Sequence, residues 1–433
     1  MRKRLAGFSR IIHIPRLAMK LPIPLALLTF TLAAHASETW TQFRGPNGQG
    51  HSEAKGLPLT WSETEHVKWK TEIPGEGWSS PVVADGKVWM TTALEDGKSL
   101  HAVSCDLASG KLLCDVEVFR NDLVPPKHRR NSYASPTPVI EGDRVYVHFG
   151  SMGTACLSAK DGTKLWENRE FIIDTQNGPG GSPALWRDRL IFSCDGTDQQ
   201  FSVALDKMTG KVLWKEGRSK TADFNEAKRP TDMRKAYGTP VVFTLDGRPQ
   251  ILTTAAERLY AQDPETGKEI WWLDHTGFSN VPLVVGDGRT LLLCTSFNKA
   301  EIWAVRGGDA KGDVSKTHVL WRQNAGAPAQ SSPLLIGERV YMVSDSGIAS
   351  CLDVKDGRIV WKKRLGSDYA ASPFFADGRI YFWGADGLCT VVAPKDEFEI
   401  LAKNELAGGF MATPAIAGRA FIVRTKTHLY RIE

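Results

Sequence analysis

A glycine followed four residues later by a tryptophan recurs along the chain, and this pattern constrains the fold more than any other feature. The spacing occurs at Gly162–Trp166, Gly210–Trp214, Gly267–Trp271 and Gly357–Trp361, and Gly110–Cys114 keeps it with cysteine in the last place. In four of these five copies an aspartate stands eight residues before the last position. Glycine allows a positive φ and aspartate can bond turn amides, so each copy predicts a tight hairpin. We expect each tryptophan to dock between neighbouring sheets.

A second element, a small residue followed by proline and an apolar strand, precedes each hairpin. Proline needs no ladder donor at the first position of a strand, so it suits the first strand of each unit. Each unit then contains four short strands, which is typical of a propeller blade. The sequence therefore predicts an all-β, eight-bladed β-propeller of four-stranded blades. The eight prolines are Pro81, Pro138, Pro183, Pro240, Pro282, Pro333, Pro373 and Pro414.

The last unit is one strand short, and the missing strand is present near the other end of the chain. Only three strands fit after Pro414, whereas residues 66–70 form a strand pattern before the first unit. Trp69 lies 12 residues before Pro81, the same interval as from Trp361 to Pro373. We expect this N-terminal strand to complete the last blade and to close the ring, which removes exposed sheet edges.

The first 36 residues have the pattern of a secretory signal. Basic residues precede an apolar stretch at residues 21–34, and Ala34-His35-Ala36 matches a cleavage site. We predict cleavage after Ala36, with an uncleaved anchor as the alternative, and one propeller domain over residues 37–433. The protein is then periplasmic or secreted, and we expect a monomer. A net charge of +5 does not indicate nucleic-acid binding, and no later segment is apolar enough to span a membrane.

The number of cysteines is odd, so at least one of the seven is unpaired within the chain. Cys105 and Cys114 flank a predicted hairpin turn, where either a disulfide or two buried thiols is consistent with the pattern.

Three connections between blades 1 and 4 are longer than the others, and long loops on a regular fold usually carry function. The interval from the last residue of the Gly-to-Trp pattern to the next inner-strand proline is 24, 17 and 26 residues in these connections, against 11 to 13 in the others. Connections between blades emerge on one face, so these segments predict a decorated rim that suits an anionic or polyhydroxylated ligand. The alternative is a solvated, salt-bridged surface. The candidate ligand-binding residues are Lys127, His128, Arg129, Arg130, Asn131, Tyr133, Gln176, Asp195, Asp198, Arg234, Lys235 and Tyr237.

The chain lacks the sequence motifs of serine hydrolases, zinc proteases and P-loop proteins. Asp195 and Asp198 form either a metal or acid/base pair or, as we favour, Asx turns that stabilise a loop; we predict no metal site. His148 lies in a predicted strand from which its side chain can reach the central channel. His128 and Tyr133 are the candidate catalytic residues if the rim is an active site.

The repeated Asp…Gly-Lys-x-x-Trp hairpin resembles the PQQ-like (pyrroloquinoline-quinone-like) repeat over nearly all of the mature chain. The segments Trp40–Asn47 and Trp78–Pro81 look like those of exported PQQ-like propellers that are common in planctomycetes. The repeat is shared by quinoprotein alcohol dehydrogenases and by the propeller lipoprotein of the β-barrel assembly machinery. The resemblance to the dehydrogenases implies PQQ with Ca²⁺ as a possible cofactor, although no two cysteines here are adjacent.

Two functions follow as hypotheses. The favoured one is a binding or scaffolding module for envelope proteins or anionic polysaccharide. The alternative is an enzyme that uses the decorated face, either a PQQ-dependent dehydrogenase or a polysaccharide lyase or hydrolase. In the lyase version, Arg129 or Arg130 neutralises a uronate while His128 or Tyr133 abstracts a proton.

Overall fold

Eight sheets, each built on four antiparallel strands, surround a central channel in the computed structural model, which describes residues 39–220, 230–324, 326–366 and 368–433. The inner strands of neighbouring sheets contact one another around this channel. The chain is thus an eight-bladed β-propeller, as predicted. The predicted signal segment, residues 1–36, lies outside the described residues.

Each of the first four blades runs from an inner three- to five-residue strand to an outer edge strand. Strands are given from the inside outward. Their bounds are Val82–Ala84, Lys87–Leu94, Ser99–Asp106 and Leu112–Arg120 in blade 1; Val139–Glu141, Arg144–His148, Thr154–Ser158 and Lys164–Asn168 in blade 2; Ala184–Trp186, Arg189–Asp195, Gln200–Asp206 and Val212–Gly217 in blade 3; and Val241–Leu245, Arg248–Ala255, Arg258–Gln262 and Glu269–Asp274 in blade 4.

The other four blades follow the same order, and the described part of the connections contains three short 3₁₀ helices. The helices are Glu95–Gly97, Gly150–Met152 and Thr231–Arg234. None of the helices in the described ranges is long and apolar enough to cross a membrane. The strands are Val285–Gly286, Thr290–Cys294, Ile302–Arg306 and Val319–Gln323 in blade 5; Leu334–Ile336, Arg339–Val343, Ile348–Asp353 and Ile359–Arg364 in blade 6; Phe374–Ala376, Arg379–Trp383, Leu388–Val392 and Ile400–Glu405 in blade 7; and Ala415–Ala417, Ala420–Arg424, His428–Ile432 and Val67–Glu72 in blade 8.

Blade 8 is completed by the N-terminal strand, so the predicted ring closure is confirmed. Val67–Glu72 pairs antiparallel with His428–Ile432. The Glu433 amide also donates to the His66 carbonyl at 2.9 Å. The two ends of the propeller chain therefore share one sheet.

Within the described residues, two blades carry a fifth strand that the sequence pattern did not predict. His51–Ser52 pairs in parallel with the inner strand of blade 7, and Gly312–Asp313 pairs in parallel with the outer strand of blade 4. Both are two residues long, too short to show an alternating pattern.

The tryptophans that end the outer strands dock on the next blade, as predicted. Trp166 Nε1 donates to the Lys207 carbonyl at 2.9 Å, and Trp361 Nε1 donates to the Lys395 carbonyl at 3.1 Å. Trp271 differs, because its Nε1 donates to Gln250 within its own blade. The other three that reach a hairpin carbonyl of the next blade are Trp69, Trp214 and Trp321.

The hairpin glycine is required by this docking. Gly210 has a φ of +72°, and a Cβ there would lie 2.5 Å from the Trp166 ring. Asp206 Oδ1 accepts the Thr209 amide at 2.8 Å, which closes the turn. The glycine, the aspartate and the tryptophan thus belong to one contact that is repeated between blades.

The segment before the first blade, residues 40–50, plugs the central channel. Trp40 exchanges two backbone hydrogen bonds with Val83 of blade 1, and the Thr41 carbonyl accepts the Ile140 amide of blade 2. On the other side, Gln49 Oε1 accepts the Gly286 amide of blade 5 at 2.9 Å. The plug therefore links inner strands on opposite sides of the ring. The sequence alone showed only that this segment resembles the corresponding segment of other propellers.

All seven cysteines are free thiols. In blade 1, Cys105 lies opposite Leu112 and Cys114 lies opposite Ser104, so the two are out of register with each other. The thiol alternative for this pair is the one observed.

Candidate functional site

The channel opens on the face of the long connections into a cavity of about 520 Å³, which we call the funnel. Its lining combines hydroxyl, aromatic, amide and charged side chains from the inner strand ends and the connections above them. The aromatic members are Phe43, Trp78, Tyr237, Phe278 and Phe297. The amide and charged members, with one histidine, are His128, Arg130, Asn131, Asn177, Asp232, Gln330 and Asp345.

A ring of hydroxyl groups surrounds the lower part of the funnel. Each member directly precedes the inner-strand proline of its blade, and only blade 5 has an apolar residue, Val281, at this position. We call these residues the hydroxyl ring: Ser80, Thr137, Ser182, Thr239, Ser332, Ser372 and Thr413.

The hydroxyl ring also links the blades. The Thr137 amide donates to Ser182 Oγ at 2.9 Å, and the Ser332 amide donates to Ser372 Oγ at 2.9 Å. Six such bonds run from an amide of one blade to a hydroxyl oxygen of the next. The repeated proline leaves the preceding residue extended, and this places its side chain toward the neighbouring blade.

The plug forms the floor of the funnel. Phe43 is part of the lining, and the adjacent Arg44 is fully buried. Arg44 donates to the carbonyls of Ser332, Pro333 and Pro373 at 3.2, 2.8 and 3.3 Å. These bonds hold the plug against blades 6 and 7, so the floor is fixed to the ring.

The first insertion crosses the rim of the funnel and is held at both ends. Asn131 Nδ2 donates to the Asn177 and Pro179 carbonyls of the second insertion at 2.6 and 2.9 Å. On the opposite side, Arg130 forms an ion pair with Asp368 in the connection between blades 6 and 7. The rim is therefore a braced structure rather than a set of separate loops.

The two carboxylates of the lining, Asp345 and Asp232, are bound by donors of the rim. Asp345 accepts the Ala329 and Gln330 amides at 3.0 and 3.2 Å and Gln330 Nε2 at 2.7 Å. Asp232 forms an ion pair with the buried Lys235. Asp232 is therefore paired with a cation, whereas Asp345 is held by neutral N–H groups alone.

Of the candidate residues predicted from the sequence, His128, Arg130, Asn131 and Tyr237 line the funnel. Burial raises the pKa of the Tyr237 hydroxyl.

Tyr133 and Lys127 lie elsewhere. The Tyr133 ring is buried against Gly97, its hydroxyl donates to the Pro125 carbonyl at 3.0 Å, and Lys127 Nζ lies 5.3 Å above it. The two candidate catalytic residues, His128 and Tyr133, therefore do not face the same cavity, and Arg129 is exposed outside the lining.

The remaining candidates stabilise loops beside the funnel. Asp195 forms a bidentate ion pair with Arg218, with both distances 3.0 Å and both side chains buried. Asp198 Oδ1 accepts the Asp174 amide at 2.8 Å. Both aspartates hold segments beside the funnel, but through an ion pair and a bond to a distant backbone amide rather than through the Asx turns that we favoured. Gln176 Oε1 accepts a hydrogen bond from Lys235 Nζ, and Arg234 borders a separate small cavity.

The expectation that His148 reaches the channel is wrong. Its side chain is buried between blades 2 and 3, where its ring lies 4.6 Å from that of Phe192 and Nδ1 is 2.8 Å from Thr154 Oγ1. Each sheet twists, and the sheets of neighbouring blades pack face to face. The position of a residue in a strand therefore does not by itself decide whether its side chain reaches the channel.

Sequence reasoning missed the hydroxyl ring and the plug, which together build the lower funnel. The repeated small residue before each proline was a signal for the ring, but it was interpreted only as a strand start. Phe43 had no such signal, because its position depends on the path of the plug.

Eight four-stranded blades built on the Asp…Gly-to-Trp hairpin define a propeller of the PQQ-like repeat class. The model of the family described as outer membrane protein assembly factor BamB matches residues 54–193 and 198–432. The chain belongs to this family.

Solved structures of this class share the fold. BamB from Moraxella catarrhalis is 12% identical with a TM-score of 0.58, covering 84% of this chain and 99% of that one. Quinohemoprotein alcohol dehydrogenase from Comamonas testosteroni is 12% identical with a TM-score of 0.61, covering 91% of this chain and 80% of that one. At this identity the likeness establishes the fold alone.

Among curated proteins, the chain is similar to quinoprotein ethanol dehydrogenases. The one from Pseudomonas aeruginosa is 28% identical over 203 residues and the one from Pseudomonas putida is 29% identical over 206 residues, in each case 45% of this chain. The chain spans 30% of the length of these relatives.

The funnel residues do not fit the Ca²⁺ ion that a quinoprotein site would hold. Calcium takes six to eight oxygen ligands, including carboxylates. Asp345 and Asp232 are each bound by their own donors, as described above. Within the described ranges, no group of three or more His, Cys, Asp or Glu side chains is placed to hold a metal ion.

Proposed function

We propose that this chain is an exported binding or scaffolding module of the cell envelope, with the funnel and its rim as the binding site. The signal pattern at residues 1–36 supports export, and membership of a family described as an outer membrane protein assembly factor supports envelope partners. An anionic polysaccharide is the other partner that the sequence suggested.

The observation that carries this proposal is the closed funnel. Its floor is the plug, its wall is the hydroxyl ring, and its mouth is a braced rim with aromatic side chains. A concave site of a few hundred Å³ with aromatic walls and a few convergent polar groups is typical of ligand-binding sites. Hydroxyl and amide groups at the wall can hydrogen-bond an oxygen-rich ligand, and aromatic rings can pack against its apolar faces.

The main test compares two tryptophan variants of the protein spanning residues 37–433. Trp78→Ala removes an aromatic ring from the funnel, whereas Trp186→Ala removes a partly exposed tryptophan that stacks under Arg187 outside the funnel lining. Binding to immobilised acidic oligosaccharides and to isolated envelope proteins is measured for both. We expect Trp78→Ala to weaken binding roughly ten-fold or more, the loss of one well-packed aromatic contact, and Trp186→Ala to leave it unchanged.

Equal binding by the wild type and Trp78→Ala would contradict the proposal. Export is checked separately by cell fractionation and sequencing of the mature N-terminus, which we expect at Ser37. Recovery in the cytoplasm with an intact N-terminus would contradict export.

A titration with PQQ, with and without Ca²⁺, decides the alternative of a quinoprotein. A Ca²⁺-dependent complex that raises the melting temperature and turns over an alcohol would favour an enzyme.

A further inference from the structure

We propose that the floor of the funnel is an anion site that receives a carboxylate group of the ligand. The site consists of the hydroxyl ring and two buried guanidinium groups behind it, those of Arg44 and Arg424. This inference rests on the proposed function, because it assumes that the funnel is a ligand site, and it names the chemical class of that ligand.

Arg44 is a buried cation with only neutral partners. Its five hydrogen bonds go to backbone carbonyls, those of Gly48 and Gln49 in the plug and of Ser332, Pro333 and Pro373 in the ring. Its neighbour Phe43 and its partner Ser332 both line the funnel, so the charge lies directly behind the wall.

Arg424 is a second cation of the same kind, buried where blade 8 meets blade 1. It is 2% exposed, and Nη1 donates to Ser79 Oγ at 2.7 Å and to the Ser79 and Thr91 carbonyls at 3.2 and 2.8 Å. Ser79 stands between Trp78 and Ser80, which both line the funnel. Within the described residues neither arginine forms an ion pair.

Both arginines remain charged at neutral pH. Burial lowers the pKa of Arg44 to about 9 and that of Arg424 to about 9, and both values lie above 7. A buried charge with no counter-ion is costly, and a nearby anion would offset that cost. Salt screens buried charges much less than surface charges, so this field persists inside the funnel.

The hydroxyl ring completes the site with hydrogen-bond donors. Six of its oxygens already accept a backbone amide from the preceding blade, and no acceptor among the described residues takes their protons. A hydroxyl is both donor and acceptor, so the free proton of each is left for a ligand oxygen. A hydrogen bond from such a hydroxyl to a charged carboxylate is stronger than one to a neutral oxygen.

None of the carboxylates near the funnel forms an ion pair with Arg44 or Arg424 within the described residues. Asp368 pairs with Arg130, Asp232 pairs with Lys235, and Asp345 accepts three N–H groups, as described above. The anion that the floor favours must therefore come from the ligand. Two sources share this chemistry, an acidic sugar of a polysaccharide and a small free carboxylate.

The first test measures the sign of the potential at the floor without any assumption about the ligand. Iodide and caesium ions quench the fluorescence of accessible tryptophan, and the difference between the wild type and Trp78→Phe isolates the signal of Trp78. We expect the Trp78 component to be quenched roughly two-fold or more strongly by iodide than by caesium, because a positive site concentrates anions. Equal quenching, or stronger quenching by caesium, would overturn the anion site.

Arginine variants then assign the field to its source. Arg44→Gln and Arg424→Gln should each reduce iodide quenching of Trp78. Arg187→Gln, at an exposed turn of blade 3 outside the funnel lining, should leave it unchanged. Circular dichroism identifies a variant that fails to fold. The comparison of iodide with caesium uses only the wild type and Trp78→Phe, so it does not depend on the arginine variants. Unchanged iodide quenching in both folded floor variants would overturn the assignment to these arginines.

Competition identifies the ligand class. Trigalacturonate or citrate should protect Trp78 from iodide, and the methyl ester of trigalacturonate should not. Protection by the polymer acid alone indicates an acidic polysaccharide, and protection by citrate indicates a small carboxylate. Equal protection by the ester, or protection by neither acid, would overturn the carboxylate assignment. If the carboxylate assignment fails but a neutral partner still binds at the funnel, the proposed function stands. If anions bind at the floor but no envelope protein or glycan binds the funnel, the proposed function is wrong and the anion site stands.

Discussion

At the scale of single residues, the docking tryptophans show how one side chain joins two blades. The Trp361 ring is 7% exposed, packs against Phe398 of blade 7 at 5.0 Å and donates to a carbonyl of that blade. The same side chain also lies 5.9 Å from Tyr341 of its own blade. The Trp361 side chain therefore stabilises the interface between blades 6 and 7 as well as its own blade.

We predict that Trp361→Ala lowers the free energy of unfolding by roughly 3–5 kcal/mol, through lost burial and the cavity left behind. Urea unfolding followed by circular dichroism measures the change. Trp186→Ala is the control, because that ring ends the inner strand of blade 3 and is only half-buried. We expect a change of about 1 kcal/mol or less. An equal loss of unfolding free energy in the two variants would contradict a specific stabilising role of tryptophan docking.

A second residue-scale prediction concerns His148. Burial lowers the pKa of its imidazole to about 4, below the ordinary value of 6.5. The unfolded chain therefore binds the proton first as the pH falls. The stabilising contribution of neutral His148 is fully present above about pH 6.5 and is lost as the pH falls toward 4, by at most roughly 3 kcal/mol.

His148→Phe should make the melting temperature fall less steeply between pH 6.5 and 4 than in the wild type. His275 is also buried with a pKa of about 3, set by burial and then by Arg258, so part of the slope should remain in the variant. An identical slope in both proteins would refute the assignment to His148.

At the scale of the structural elements, the inner strands show what a short repeated motif can do. They are only two to five residues long, yet each is marked by a preceding proline and a hydroxyl residue in all blades but one. The proline made the strand predictable. The role of the hydroxyl was not predictable, because it depends on the neighbouring blade.

The strand Val67–Glu72 carries the closure of the ring, and we predict the effect of removing it. A chain that begins at residue 73 leaves the edge of His428–Ile432 unpaired, and an exposed edge promotes association. Light scattering after size-exclusion chromatography should show oligomers or aggregates. A chain that begins at residue 53 also lacks the plug but keeps the strand, so it is the matched control and should elute as a single species. A monodisperse chain from residue 73 with the wild-type melting temperature would contradict the role of the strand.

At the scale of the whole molecule, the ring brings together segments that are far apart in the sequence. Arg130 and Asp368 are 238 residues apart, and Arg44 reaches carbonyls almost 330 residues away. These contacts give the funnel its rim and floor. The basic residues of the insertions do not form one patch. Among the described ones, Arg218 and Lys235 form ion pairs with aspartates beside the funnel. Arg130 and His128 line the funnel itself.

The sequence by itself determined the architecture of this protein. Eight prolines, the recurrent Gly-to-Trp hairpin and an N-terminal strand at the right interval are local patterns, and local patterns specify strands, turns and their number. Only the tertiary structure decided the funnel. The plug, the hydroxyl ring and the two uncompensated arginines depend on which blades meet across the channel, and that proximity arises from closure of the ring rather than from the spacing of neighbouring residues.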